Sequence, residues 1–188
     1  CCDATVGVAS SMTDLDEDLL IRVKAAYRGA ISDPGAFRAQ AAGLVREARQ
    51  SGDPEAVCLS LRASGWAERY ALEHRQALRL LDEAVRIARH HRLSHVLGEV
   101  LVTRGAVKHE LGLLSAARRD FDAAEPLIPP DAISELTSQR ATLFANQGDL
   151  ASAAALYARL LKDGTLTADV RTKTAANLGI IQAHRGRF

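Results

Sequence analysis

Four small residues, Gly65, Gly105, Ala141 and Gly179, stand 40, 36 and 38 residues apart, and the same offsets return from the first three of them. Twelve residues further on lie Ala77, Ala117 and Ala153, and sixteen further on lie the bulky Leu81, Phe121 and Tyr157. Nineteen further on come Ala84, Ala124 and Leu160. A period close to the roughly 34 residues of a helical hairpin marks a repeat architecture. One hairpin cannot bury its own apolar face, so such units stack into a solenoid in which each touches its neighbours.

The residues between these positions supply helix starts and stops. Thr13 with Asp16 forms a capping-box-like start, followed by an apolar stripe from Leu15 to Tyr27 and a break at Ser32-Asp33-Pro34-Gly35. A second helix is expected from Pro34 to Ser51. Gly52 then suits a left-handed position past a helix end, Asp53 an N-cap and Pro54 a first turn. Further helices are expected from Pro54 to about Leu72, from Arg75 to about His91, and from a Ser94 cap to Leu111. Another runs from a Ser115 cap to about Pro126, where prolines stop it. Asp131 opens a third pair with Gly148-Asp149 as its inner turn, and a last helix runs from Thr167 to about Arg185, with Gly186 in the place of Gly112 and Gly148. The β-branched stretch Val100 to Thr103 continues a helical stripe, so the expected fold is all-α, a right-handed α-α superhelix.

Composition narrows the class without naming a partner. The 188 residues are 47% hydrophobic and 25% charged, as in an ordinary globular chain. The 24 basic and 23 acidic side chains leave a formal charge of +1, so no field-driven case for nucleic acid or an anionic membrane exists. No apolar run approaches the roughly 20 residues of a membrane span. Cys1, Cys2 and Cys58 have no metal-type spacing and fit a reducing, cytoplasmic setting.

These residues resemble the tetratricopeptide repeat family, whose pattern is a small residue within the first helix, Gly at the inter-helix turn, then Ala, a large residue and Ala in the second helix. The likeness is strongest in Leu101, Gly105, Gly112, Ala117, Phe121, Ala124 and Pro129, and returns in Ala141, Phe144, Gly148, Ala153 and Tyr157. In the first hairpin Leu72 replaces the turn Gly and the loop reads as longer. The division expected from this is a leader over 1–12, a degenerate hairpin over 13–53, and repeats over 54–188, the last expected to be cut after its first helix. The run Gly52 to Ala56 and the closing Asn177 to Arg187 are also similar to N-terminal repeat regions of actinobacterial proteins carrying a caspase-like CHAT peptidase domain. That resemblance implies a regulatory role, with the catalytic Cys and His beyond Phe188.

In such repeats the first helices line a concave surface, which is where a protein or peptide would bind. The face around each small residue gives Arg62, Trp66, Arg69 and Tyr70, then Val102, Ala106, His109 and Glu110. Ser138, Thr142 and Asn146 follow, and Asn177, Ile180 and His184 complete the set. Trp66 is either a hot-spot anchor beside Arg62 and Arg69 or packing against the preceding hairpin. A chaperone-type clamp is not expected, because Trp66, Thr103 and Glu135 stand where its Asn and Lys would be needed. His91 and His95 are interrupted by a turn and lack a carboxylate partner, and Cys58 lacks a catalytic companion. No metal, cofactor or enzymatic activity is therefore expected. Arg118, Arg119, Asp120 and Asp122 read as solvated charges, while Val170, Leu178, Ile180 and Ile181 make the last helix a candidate for self-association.

Overall fold

The computed structural model describes residues 18–30, 33–164, 166 and 168–186. The leader, the Thr13 cap, Thr167 and the last two residues lie outside them. Among the described residues there are nine α-helices and no strand. They are α1 (18–30), α2 (Pro34–Ser51), α3 (Pro54–Tyr70), α4 (His74–His90), α5 (Ser94–Glu110), α6 (Leu114–Ala124), α7 (Ile133–Asn146), α8 (Leu150–Leu161) and α9 (Ala168–His184). A 3-10 turn, Pro130–Ala132, precedes α7.

One turn is used repeatedly. In the three residues after α3, α4, α5 and α7, the middle residue is left-handed and the third donates its N–H five residues back. Those bonds run from Glu73 to Glu68, Leu93 to Ala88, Leu113 to Lys108 and Asp149 to Phe144, all within 2.9 to 3.0 Å. The left-handed residues are Leu72, Arg92, Gly112 and Gly148, and Gly186 adopts the same conformation after α9. The loop after α3 is therefore no longer than the others, contrary to expectation; Leu72 tolerates φ +62 and keeps the turn short.

The third turn residue also begins the next helix. The Leu93 carbonyl accepts from Leu97 and that of Leu113 from Ala117. Ser94 and Ser115 are consequently inside their helices and not caps, because the turn has already supplied the N-cap position. Asp33, Asp53 and Asp149 do cap, their carboxylates accepting from Ala36, from Glu55 and Ala56, and from Ser152.

The sixteen-residue offset is a physical contact between paired helices. A Cβ on Gly65 would lie 2.8 Å from Leu81 Cγ, and one on Gly105 would run into the Phe121 ring. Ala141 and Tyr157 meet in one apolar cluster with Ile181. Each helix packs on the next from α2 to α9, while α3 touches α5 and α5 touches α7 directly. The odd-numbered helices thus form one layer and the even-numbered a second, giving an all-α helical-repeat solenoid. Its main core runs from Leu19 and Val23 of α1 through Leu61, Leu81, Val100 and Phe121 to Leu136 of α7.

Candidate functional site

A cleft of about 540 Å³ lies on the layer of odd-numbered helices, lined by residues of α1, α3, α5, α7 and α9 and by Ala132. Its floor is built around Arg62, a buried residue of α3. Arg62 Nε donates to Thr103 Oγ1 at 3.0 Å, and the guanidinium donates to Glu99 and, at 2.9 Å, to Glu135. The Tyr27 ring stacks 3.7 Å from Arg62 Cζ, and the Tyr27 hydroxyl donates to Glu135 at 2.8 Å. Burial opposes the charge on Arg62, but the surrounding carboxylates outweigh it and hold the proton more firmly than in water. Burial also pushes the Tyr27 phenol well above its ordinary range, so it remains a donor.

Beside this floor stands an aromatic wall. Trp66, the only tryptophan, is 5% exposed, with the Tyr27 ring 5.6 Å away edge-on and the Tyr70 ring at 5.7 Å. Arg69 lies 4.6 Å over the indole and is held by Glu110 at 2.6 Å. Trp66 Nε1 has no acceptor among the described residues. The far wall is polar: Thr142 and Tyr157 share a hydrogen bond of 2.7 Å, and Asn177 Nδ2 donates to the Tyr157 hydroxyl at 3.3 Å.

Of the residues chosen from the sequence, Arg62, Trp66, Arg69, Tyr70, Ser138, Thr142 and Asn177 line this cleft. Glu110 joins it only through Arg69. His109 is buried and hydrogen-bonded to Asn146 at 2.8 Å, and burial lowers its pKa from the ordinary 6.5. Ile180 and His184 are exposed on α9 outside the cleft lining. Val102 and Ala106 are corrections: both have no exposed surface, because α5 is packed by α3, α4, α6 and α7 together. Asp120 is another, being buried between Arg104 at 2.7 Å and Lys108 at 2.8 Å, while Arg118, Arg119 and Asp122 are exposed as expected. Trp66 packs against the preceding hairpin, the first of its two readings being an anchor and the second this one.

Tyr27, Arg28, Glu99, Glu135 and Lys173 also line the cleft and were not among the candidates. Glu135 had a signal, an acid where a clamp needs a base. Tyr27 had none, since its partner is 108 residues away. Cys58 is fully buried, its Sγ 3.4 Å from the Ala84 carbonyl, and burial pushes its thiol pKa up to about 12. Among the described residues no group of three or more His, Cys, Asp or Glu is placed to hold a metal.

These features define a helical-repeat protein with a lined cleft on the layer of odd-numbered helices. The chain is similar in fold to the crystal structure of BtubC (BKLC) from P. vanneervenii, with a TM-score of 0.62 at 16% identity over 94% of this chain and 85% of that one. No family model and no curated protein matches the chain. None of the described helices is long and apolar enough to cross a membrane.

Proposed function

We propose that the chain is a non-catalytic scaffold of tetratricopeptide type that binds an extended peptide or protein segment in its concave cleft. The observation that carries this reading is the preformed cleft itself, about 540 Å³, with an aromatic wall on one side and hydroxyl and amide groups on the other. Such walls suit a peptide, aromatic faces taking side chains and polar groups taking the main chain. The buried, protonated thiol of Cys58 supports a structural role for the one described cysteine.

The test is selection of a displayed library of 12-residue peptides on the purified chain, followed by Ser138→Trp, which fills the cleft from a partly exposed position. Enriched peptides should bind the wild type and lose affinity at least tenfold for the variant, with the melting temperature retained. Failure to enrich any peptide, or equal binding by Ser138→Trp, overturns the proposal. Turnover of a substrate by the purified chain that Cys58→Ala abolishes would overturn the non-catalytic part.

The likeness of Gly52 to Ala56 and of Asn177 to Arg187 to CHAT-associated repeats supports a second reading, in which the same scaffold regulates a peptidase-like domain elsewhere in a longer cytoplasmic protein. The gene sequence downstream of these codons decides it. Val170 and Ile180, 37% and 57% exposed on α9, support self-association as one mode of partner binding, which light scattering at two concentrations tests.

A further inference from the structure

Arg69 and Tyr70 line two recesses at once. One is the concave cleft; the other is a notch of about 340 Å³ on the rim of turns, completed by Leu72, His74 and Glu110. The cleft therefore runs out over the rim at Tyr70. The rim there is apolar, with Tyr70 49% exposed and Leu72 77% exposed. Leu111 and Leu113 of the next turn are exposed too, and the Arg69–Glu110 pair ties that turn to the first. The corresponding turn after α7, Gln147-Gly148-Asp149, is polar, so the apolar rim is confined to the end of the cleft where the aromatic wall stands.

Leu72 is unfavourable on two grounds. It holds φ +62, which glycine adopts at the equivalent positions 112, 148 and 186, and its apolar side chain faces water. Arg92, the other non-glycine residue in this conformation among the described residues, is polar and exposed. Among the described residues, a leucine at this turn gains neither packing nor backbone ease. A ligand that covers it would supply what the fold does not.

We infer that a peptide held in the cleft continues over Tyr70 and seats a bulky apolar side chain against Leu72. This deepens the peptide-binding reading and rests on it. The occupant is an extended segment and not a second copy of the chain, because a few side chains along one edge fall short of the roughly 1,200 Å² that a stable protein interface buries.

The experiment uses the peptides enriched on the wild-type chain. Binding is followed by the emission of Trp66, which stands 5.7 Å from Tyr70 and reports any side chain placed there. The enriched peptides should share a bulky apolar residue. Leu72→Gly should weaken them at least fivefold while leaving the melting temperature unchanged or higher, which excludes misfolding as the cause. Replacing the shared apolar residue by Ser should weaken binding to the wild type by a similar factor and add little in Leu72→Gly. Equal affinity of Leu72→Gly, with Ser138→Trp still abolishing binding, overturns the rim contact and leaves the cleft reading standing. Absence of enriched peptides, or indifference to Ser138→Trp, overturns the cleft reading and the rim contact with it.

Discussion

The hairpins α3/α4 and α5/α6 share one register, yet they turn their arginines in opposite directions. Arg62 of α3 turns into the concave layer and bonds residues of α5 and α7 that lie 37 to 73 positions away. Arg104 of α5 turns toward the second layer, to Asp82 of α4 and Asp120 of α6, at separations of 22 and 16. One charge network therefore joins the odd-numbered helices across the array, whereas the other fastens neighbouring hairpins locally. A repeat register fixes which helices touch, but each unit remains free to place its polar groups on either layer.

The sharpest way to break this contrast is Arg62→Met, which leaves Glu99 and Glu135 without their cation. Losing one side of a buried ion pair costs about 3–5 kcal/mol, to be read as a fall in urea midpoint. The triple variant with Glu99→Gln and Glu135→Gln should recover much of that loss, and no recovery would mean that the charges are not what Arg62 serves. Asp120→Asn should cost less, about 1.5–3 kcal/mol for charge-assisted hydrogen bonds, because Arg104 retains Asp82. Equal losses for Arg62→Met and Asp120→Asn would erase the distinction between a cross-array and a local network.

The small-residue contacts extend the comparison. Gly105→Ala pushes a methyl into the Phe121 ring, which has no exposed surface to move toward. Overpacking of about 1–3 kcal/mol is offset by roughly 1 kcal/mol of helix propensity, for a net loss of about 0–2 kcal/mol. Gly65→Ala meets the more adaptable Leu81 side chain and should lose less in the same chemical melt.

The link from α5 to α7 is neutral where that from α3 is charged, so pH separates them. Burial depresses His109, which means its stabilising share is present above the ordinary pKa near 6.5 and is lost as pH falls through the depressed folded value. Wild type should thus lose melting temperature below pH 6.5, and His109→Gln, which keeps a partner for Asn146, should lose less. An identical acid profile in both would remove His109 from the account. The smallest effect belongs to Leu72→Gly. Relief of about 1–2 kcal/mol of left-handed strain, against about 0.5–1 kcal/mol of added chain entropy, predicts a slight rise in stability.

What was legible in the sequence follows the range of the interactions. Turns and caps such as Gly52-Asp53-Pro54 and Gly148-Asp149 are set by residues within a few positions, and they stand where the pattern puts them. The faces of α5 were less legible. Offsets along one helix say which way Val102 and Ala106 point, but not that α3 and α7 approach closely enough to cover them. Asp120 shows the same limit, since a charge next to Arg119 and Asp122 looks solvated until Arg104 and Lys108 are brought over it. The cleft floor was least legible, because Tyr27 acquires its role only when α1 meets α7.

The three-residue turns after α3, α5 and α7 fold the chain back at the same edge, and the links after α4 and α6 return it, so that α3, α5 and α7 run in the same direction. Their peptide dipoles then add along the concave wall, with roughly half an elementary charge at each end. The turn rim is the negative edge of this wall and the opposite edge is positive. Arg69 and Lys108 occupy the last turns of α3 and α5, where that negative edge falls.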